Sequence, residues 1–341
     1  MLKLATIGTS WITEQFIEAA LASKQYTCEA IYSQNLKTAT QWAEKWHANN
    51  AYNRLADLLQ NPEIDAVYIA SPNSLHYEQA LQAIIHQKHV IIEKPMVTSL
   101  KQWDALIEAS RKNNVYLFEA ARHIHSADFK YLQNLFWELK EKNDKPFLGG
   151  NFTMGQYSSR YDQYLKSLEQ HKPVPNVFSP EFSGGTLMDL SIYPLYLALA
   201  LLGQPRAAKM FTVNGPNQID LVNQIILTYD DGALLTIYVS KCCHSMHKQE
   251  IYLGAQTLVF DSVSEIGTIE LYNLNNEKIS SKTFPSQNPL FAEATAFAHV
   301  MQENAQQNLS RDYQKWLTLS RNVHQLIQKL NDNPNKNVVF M

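Results

Sequence analysis

Short apolar runs alternate with amphipathic stretches through the first third of the chain, and that alternation sets the elements expected there. Residues 2–7 read as a strand, and Gly8-Thr9-Ser10-Trp11-Ile12-Thr13 turns from it into a helix over 14–22. A strand over 26–32, a helix over 36–46 and a short helix over 55–59 follow, the last ended by Asn61-Pro62-Glu63. Residues 66–70 form a buried strand, and Ser71-Pro72-Asn73 opens a helix to about residue 86. The run His89-Val90-Ile91-Ile92 is another buried strand. It delivers Glu93 and Lys94 to its C-terminal edge, where Pro95, lacking an N–H, ends the pairing. A helix over 100–112 and a strand over 115–118 complete the pattern, which implies right-handed βαβ units and a parallel sheet.

The pattern then changes. After a helix over 126–140, strands are expected at 149–154, 208–213, 220–229, 233–239, 250–252, 257–260 and 268–272, with Asp230-Asp231-Gly232 as a hairpin turn. Helices over 290–303 and 311–330 come last. Such a succession makes a mostly antiparallel sheet with helices on one face and the other face open. The expected domains are 1–121, an α/β dinucleotide-type unit, and 122–341, an α+β unit. Tyr229, Leu235, Ile237 and Val239 alternate with Leu234, Thr236 and Tyr238, so both faces of the second sheet carry apolar side chains. An uncovered apolar face is an association surface, and a homodimer or homotetramer through this sheet is expected.

Composition narrows the class. The net charge of −3 offers no basic footprint for nucleic acid or an anionic membrane. The longest apolar run, 195–202, is too short to cross a bilayer, and the chain starts on a strand rather than a signal peptide. Three cysteines, two of them adjacent, suggest no disulfide framework, so a cytoplasmic location is expected. Cys242-Cys243-His244 with His247 has metal-like spacing, but neighbours along a strand point to opposite faces, and no metal site is expected. His123 and His125 share a face of an extended segment and read as packing or polar lining.

Four places carry candidate chemistry. Gly8 stands where a phosphate-binding loop needs its tight turn, while Ser10 and Thr13 occupy the positions of the other two glycines. Ser10 could donate to a phosphate, and Thr13 could cap a helix whose N-terminus favours an anion. After the second strand, Tyr32-Ser33-Gln34-Asn35 offers neither the acid that binds ribose hydroxyls nor an arginine for a 2′-phosphate. Ser33 and Gln34 can hydrogen-bond either NAD or NADP. Glu93 and Lys94 by themselves could be a solvated ion pair. The fourth place, Gly184 to Pro194, carries Asp189 and Tyr193 four apart, on one helix face, with Pro194 expected to kink or delay the helix. Alone, this run reads as an aromatic core position with Asp189 as a local cap. A Tyr hydroxyl beside an acid and within reach of a lysine is also general acid/base equipment.

Taken together, Glu93-Lys94-Pro95, Asp189 and Tyr193 resemble the Gfo/Idh/MocA oxidoreductases, the relatives of glucose–fructose oxidoreductase, inositol dehydrogenase and dihydrodiol dehydrogenase. The likeness covers nearly the whole chain. Gly8-Thr9-Ser10-Trp11-Ile12 resembles the family's cofactor loop, and 65–73 with His76 resembles its fourth-strand motif. The resemblance implies an N-terminal Rossmann domain followed by an open-faced, mostly antiparallel sheet domain. It implies that Ser71, Pro72, Asn73 and His76 lie along the nicotinamide half of NAD or NADP, with Glu93 and Lys94 beside the cofactor. Lys94 would contact substrate, Asp189 would bind its hydroxyls, and Tyr193 would take the acid/base position. The implied activity is NAD(P)-dependent hydride transfer at a hydroxyl or carbonyl carbon of a sugar, polyol or related small molecule. Arg122-His123-Ile124-His125-Ser126 departs from the family's usual pattern, so the resemblance does not carry the substrate. A second reading is a non-catalytic dinucleotide- or sugar-binding sensor on the same fold.

Overall fold

The computed structural model describes residues 1–142, 146–303, 310–333 and 337–339. Six strands form one sheet: β1 (Leu2–Ile7), β2 (Tyr26–Tyr32), β3 (Asn50–Tyr52), β4 (Ala66–Ile69), β5 (His89–Glu93) and β6 (Leu117–Ala120). Their order is β3-β2-β1-β4-β5-β6 and every ladder is parallel. The helices between them are α1 (Trp11–Ala22), α2 (Leu36–Trp46), α3 (Leu55–Gln60), α4 (His76–Ile85) and α5 (Leu100–Lys112). The strands are apolar on both faces because both are covered. Ala5, Ile7, Val67, Ile69, Val90 and Ile92 pack with Ala80, Ile84 and Leu106. Leu4, Tyr68, Ile91 and Phe118 pack with Phe16, Ala20 and Phe297. Strand order reverses between β1 and β4, so the loops after these two strands part and leave a crevice at their carboxyl ends.

Three local differences from expectation have local causes. Helix α1 begins at Trp11 because Ser10 is its N-cap. β6 starts at Leu117 because the Val115 N–H is used by the last turn of α5, donating to Ser110 O at 3.0 Å. β3 is three half-buried residues, too short to show a period.

The second sheet follows α6 (Ala127–Lys142). Along the chain come β7 (Phe147–Gly155), α7 (Tyr161–Glu169), α8 (Thr186–Asp189), α9 (Ile192–Leu202), β8 (Ala207–Asn214), β9 (Asp220–Thr228) and β10 (Leu234–Ser240). Then come β11 (Gln249–Leu253), β12 (Gln256–Phe260), β13 (Thr268–Asn273) and β14 (Lys278–Thr283). Helices α10 (Phe291–Gln302) and α11 (Arg311–Asp332) and strand β15 (Asn337–Val339) complete the described elements. The order is β14-β13-β12-β11-β7-β10-β9-β8-β15, and only the β7–β10 ladder is parallel. Unanticipated were α7, β15 and β14; the last is exposed throughout and joins by its ladder to β13 rather than by an apolar face.

Burial separates the two faces of this sheet. Leu235, Ile237 and Val239 are inaccessible to solvent, as are Ile225 and Leu227 opposite them. The other face is mixed, which corrects the expectation of two apolar faces. Leu234 is 51% exposed, but Thr236 bonds Asn151, which donates to the Tyr252 hydroxyl at 2.6 Å. Tyr252 in turn donates to Glu250 at 2.6 Å.

The chain divides into two compact units, 1–122 with 287–321, and 123–286 with 322–341. The expected boundary at 121/122 lies beside the first crossing, whereas 287–321 pack with the first unit. Tyr26, for example, donates to Ala294 O at 2.9 Å. No single described helix is long and apolar enough to cross a membrane.

Candidate active site

The first unit assembles its candidate residues at the carboxyl ends of its strands. Gly8 follows β1 with φ +112°, and a Cβ there would lie 2.6 Å from Ala70 O, so only glycine makes this turn. Ser10 then caps α1. The buried Thr13 hydroxyl accepts the Ser10 N–H at 3.4 Å and lies 3.3 Å from Ser10 Oγ. The two non-glycine positions of the loop therefore serve the helix start, with Ser10 as the cap and Thr13 three residues on. Trp11 and Ile12 lie in the first turn, whose backbone N–H groups have no intrahelical partner and suit an anion. Thr9 and Ile12 are half-buried, and Trp11 is exposed.

Past β2, the Ser33 N–H donates to Tyr52 O at 3.1 Å, and Gln34 is exposed. Asn35 caps α2 by accepting from Lys37 N at 2.9 Å, which sets the exposed Lys37 in its first turn. The carboxylate on β2, Glu29, is turned away to Asn49 and Asn50 at 2.9 and 3.0 Å.

The loops after β4 and β5 are tied together by His76. Its Nδ1 lies 2.9 Å from Pro95 O and its Nε2 2.9 Å from Ser71 O, and the ring is 1% exposed. Burial lowers its pKa against the pull of both carbonyls. His76, which the resemblance puts along the nicotinamide half of the cofactor, uses both ring nitrogens to hold these two loops. Ser71 Oγ donates to Gln79 at 2.6 Å, and Pro72 and Asn73 begin the 3₁₀ turn that precedes α4. Glu93 Oε1 accepts from the Tyr68 hydroxyl at 2.6 Å. Burial raises the Glu93 pKa, opposed by Tyr68, Lys94 and Arg122. Half-buried Lys94 stands at the end of β5. The next turn is anchored from below: Met96 N–H donates to buried Glu119 at 2.9 Å. The other Glu119 oxygen accepts from Ser320 at 2.6 Å, and Ser320 accepts from Trp103 at 2.9 Å.

The second unit carries Asp189 and Tyr193. Gly185 has φ +98°, and a Cβ on it would lie 1.9 Å from Asp220 Oδ1. Asp220 accepts from Leu187 N and Asn223 Nδ2, each at 2.6 Å, so it fixes the start of α8. The expected single helix is broken here. The N–H groups of Leu190 and Ser191 both donate to Thr186 O, and the 180–189 segment meets α9 at 46°. Asp189 ends α8 and Tyr193 lies in the first turn of α9, so they do not share the face of one helix. Pro194 occupies that first turn, where its missing N–H costs no helical bond.

Asp189 Oδ2 accepts from Lys241 Nζ at 2.8 Å. The half-buried Tyr193 ring lies beside His123 at 5.3 Å between centroids, and His123 meets Tyr196 at 5.9 Å. His123 and His125 lie on a 3₁₀ turn, Arg122–His125, rather than an extended segment. Burial lowers the His125 pKa to about 3. Cys242 and Cys243 pair with Ser240 and Tyr238, each at 3.4 Å. No cluster of metal-ligating residues occurs among the described residues.

Sequence reasoning missed Lys241, Asp220, Glu119 and Lys37. For Lys241 a signal existed: it continues the inward alternation of Leu235, Ile237 and Val239. Glu119 gave none, because Met96 and Ser320 lie far away in the chain, and of the partners of Asp220 only Asn223 is near, Leu187 being 33 residues away.

Comparison with known proteins identifies the family and the fold. Residues 2–121 match an oxidoreductase family with an NAD-binding Rossmann fold, and 153–258 match the GFO/IDH/MocA C-terminal domain. The scyllo-inositol 2-dehydrogenase (NADP(+)) IolU of Bacillus subtilis is 33% identical over 324 residues, 94% of each chain. The uncharacterized oxidoreductase YgjR of Escherichia coli is 34% identical over 305 residues, 89% of each chain. A trans-1,2-dihydrobenzene-1,2-diol dehydrogenase of Xenopus laevis is 26% identical over 263 residues, 75% of this chain and 74% of the relative. A 3-ketoreductase from Actinomadura kijaniata, solved with NADP and TDP-benzene, shares the fold with a TM-score of 0.85 at 17% identity, over 98% of both chains.

Proposed function

The chain belongs to the GFO/IDH/MocA oxidoreductases, and from that premise we propose that it interconverts a secondary alcohol and a ketone on a polyol or sugar, using NADP in preference to NAD. The observation that carries this reading is the cradle at Gly8 and the start of α1. Its backbone admits no side chain, and the first-turn N–H groups are available to an anion, which fits a dinucleotide pyrophosphate. When bound, the nicotinamide supplies the hydride chemistry.

The residues of the chain supply position and protons. Gly8, Thr9, Ser10, Trp11 and Ile12 would cradle the pyrophosphate. Ser33, Gln34 and the cation of Lys37 would hold the adenosine end, where no carboxylate opposes a 2′-phosphate. Ser71, Pro72 and Asn73, with Glu93 behind Lys94, would line the nicotinamide half, and His76 holds their loops in place. Lys94 steadies the reacting oxygen and favours its anionic form. The Tyr193 hydroxyl exchanges that oxygen's proton, and Asp189 accepts a hydrogen bond from a substrate hydroxyl. An ion-paired carboxylate and a phenol suit a neutral polyhydroxylated substrate, in keeping with the inositol dehydrogenase among its relatives.

A homodimer or homotetramer through the open face of the second sheet also belongs to this reading. Leu148, Phe211, Val213 and Leu234, each 44–61% exposed, give it apolar anchors around the polar ladder. Three free thiols suit the reducing cytoplasm.

Fluorescence titration with NADP and NAD, then a panel of inositols, sugar alcohols and sugars followed at the reduced-nicotinamide absorbance, tests the proposal. Tighter NADP binding and turnover of at least one polyol or sugar are expected. Dinucleotide binding without turnover of any panel member would favour the sensor instead.

A further inference from the structure

Lys241 is 1% exposed, although it continues a row of inward positions otherwise filled by Leu235, Ile237 and Val239. A charge in such a place is costly unless it is paired and hydrogen-bonded. This one is. Nζ donates to Asp189 Oδ2 and to Val177 O, both at 2.8 Å, and sits 4.8 Å above the Phe178 ring centroid. Two of the three donor positions of the ammonium are thereby used, and an aromatic face lies against it.

Asp189 is less deeply set. Its side chain is 29% exposed against 2% for that of Lys241, so the pair has one end in the protein and the other toward solvent. Among the described residues, Asp220 on β9 feels the charge of Lys241, and the Phe178 beneath the ammonium packs in one cluster with Tyr161 and Tyr164 of α7 and with Cys242. Burial raises the pKa of both tyrosines, which leaves them neutral near pH 7. Burial also raises the pKa of Asp220, against its bonds from Asn223 and Leu187 and the charge of Lys241.

We propose that Lys241 is a positioning residue of the reaction. It holds the Asp189 carboxylate charged and oriented, so that Asp189 meets the substrate only as a hydrogen-bond acceptor and selects substrates that present a hydroxyl there. Lys241 itself touches no substrate. The inference rests on reading Asp189 as the acceptor for a substrate hydroxyl, and it assigns the proton transfer to Tyr193 alone. An acceptor-only carboxylate discriminates strongly. A substrate with an ether or carbonyl oxygen at that point would leave a lone pair facing a carboxylate, an unpaired arrangement that sites of this kind reject.

The test uses the intact protein, its aspartates labelled with ¹³C at Cγ, and the Asp189 resonance assigned by its loss in Asp189→Asn. In the wild type, Asp189 is expected to titrate below the ordinary aspartate value of about 3.9. A midpoint at or above that value overturns the inference without need of any Lys241 variant. In Lys241→Met the midpoint is expected to rise by about one pH unit or more. KM for the polyol should rise about tenfold with a smaller change in kcat, and the acid limb of kcat/KM should move to higher pH. Lys241→Arg, which keeps the charge, should restore most of the affinity. Unchanged Asp189 titration and KM in a folded Lys241→Met protein would make Lys241 a packing residue only. A wild type that turns over no polyol or sugar fails the functional reading, whereas normal turnover with an unshifted Asp189 fails this inference alone.

Discussion

Gly8 lies so close to Ala70 that a Cβ at position 8 would stand 2.6 Å from the Ala70 carbonyl oxygen. That contact holds together the carboxyl ends of β1 and β4, the two strands between which the sheet order reverses and beyond which their loops part. Gly8→Ala is therefore expected to force the turn apart. Dinucleotide affinity should drop at least about tenfold and stability by about 1–3 kcal/mol, the cost of a strained backbone. Titration and thermal melting of the purified variant measure both. Wild-type affinity in Gly8→Ala would move the nucleotide away from this turn.

The end of β2 sets the expectation for cofactor choice. Glu29 is engaged with Asn49 and Asn50, and Lys37 is the exposed charge in the first turn of α2. Lys37→Glu should weaken NADP binding about tenfold, or about 1.4 kcal/mol, and leave NAD binding nearly unchanged. The effect should shrink as salt is added, because the contact is exposed. An equal loss for both dinucleotides would contradict the assignment.

Glu293, in the first turn of α10, is inaccessible to solvent, and neither of its carboxyl oxygens has a hydrogen-bond partner. Burial pushes its pKa well above the ordinary 4.5. Glu93 adds to the rise, and Arg122 opposes it. The folded protein thus keeps a proton that the unfolded chain releases near pH 4.5. As pH rises from there, the unfolded state gains relative to the folded one, so this group lowers stability progressively toward neutral pH. Glu293→Met should stabilise the protein by about 1–3 kcal/mol at pH 8, the scale of an unpaired buried polar group, and by less at pH 5. Urea unfolding at the two pH values measures the difference. A gain independent of pH would place the effect in packing.

How much of this was legible in the sequence depended on the kind of force involved. Strands such as β4 and β5 are apolar at nearly every position, because helices cover both sheet faces, and they stood out at once. Strand β14, Lys278–Thr283, has no such pattern, since its backbone ladder holds it rather than burial. The break between α8 and α9 was also hidden. Gly185 and Pro194 were visible, but the break falls between them, where Thr186 O takes two N–H groups. Asp189 and Tyr193 stood out in the sequence as candidates, whereas the ion pair of Asp189 with Lys241 did not. Lys241 continues the inward alternation of β10, but its approach to Asp189 comes only with the fold.

The roles proposed for Tyr193 and Lys94 predict responses different from those of packing residues. Tyr193→Phe keeps the ring beside His123 and removes only the hydroxyl. It should lower turnover by about 10²–10⁴-fold with little change in melting temperature or dinucleotide affinity. Lys94→Met should likewise fold and bind the dinucleotide while losing most turnover. Early melting with normal activity per folded molecule would make Tyr193 a core residue.

The most direct measurement follows the hydrogen itself. The purified protein is mixed with NADP and an inositol or sugar alcohol, active in the panel, that carries deuterium on its carbinol carbons, and the reduced cofactor is examined by mass spectrometry. Direct hydride transfer predicts one deuterium per reduced nicotinamide formed, and the same label with solvent exchanged for D₂O when the substrate is unlabelled should be absent. Reduced cofactor without deuterium from the labelled polyol, or with deuterium taken from solvent, would contradict the account.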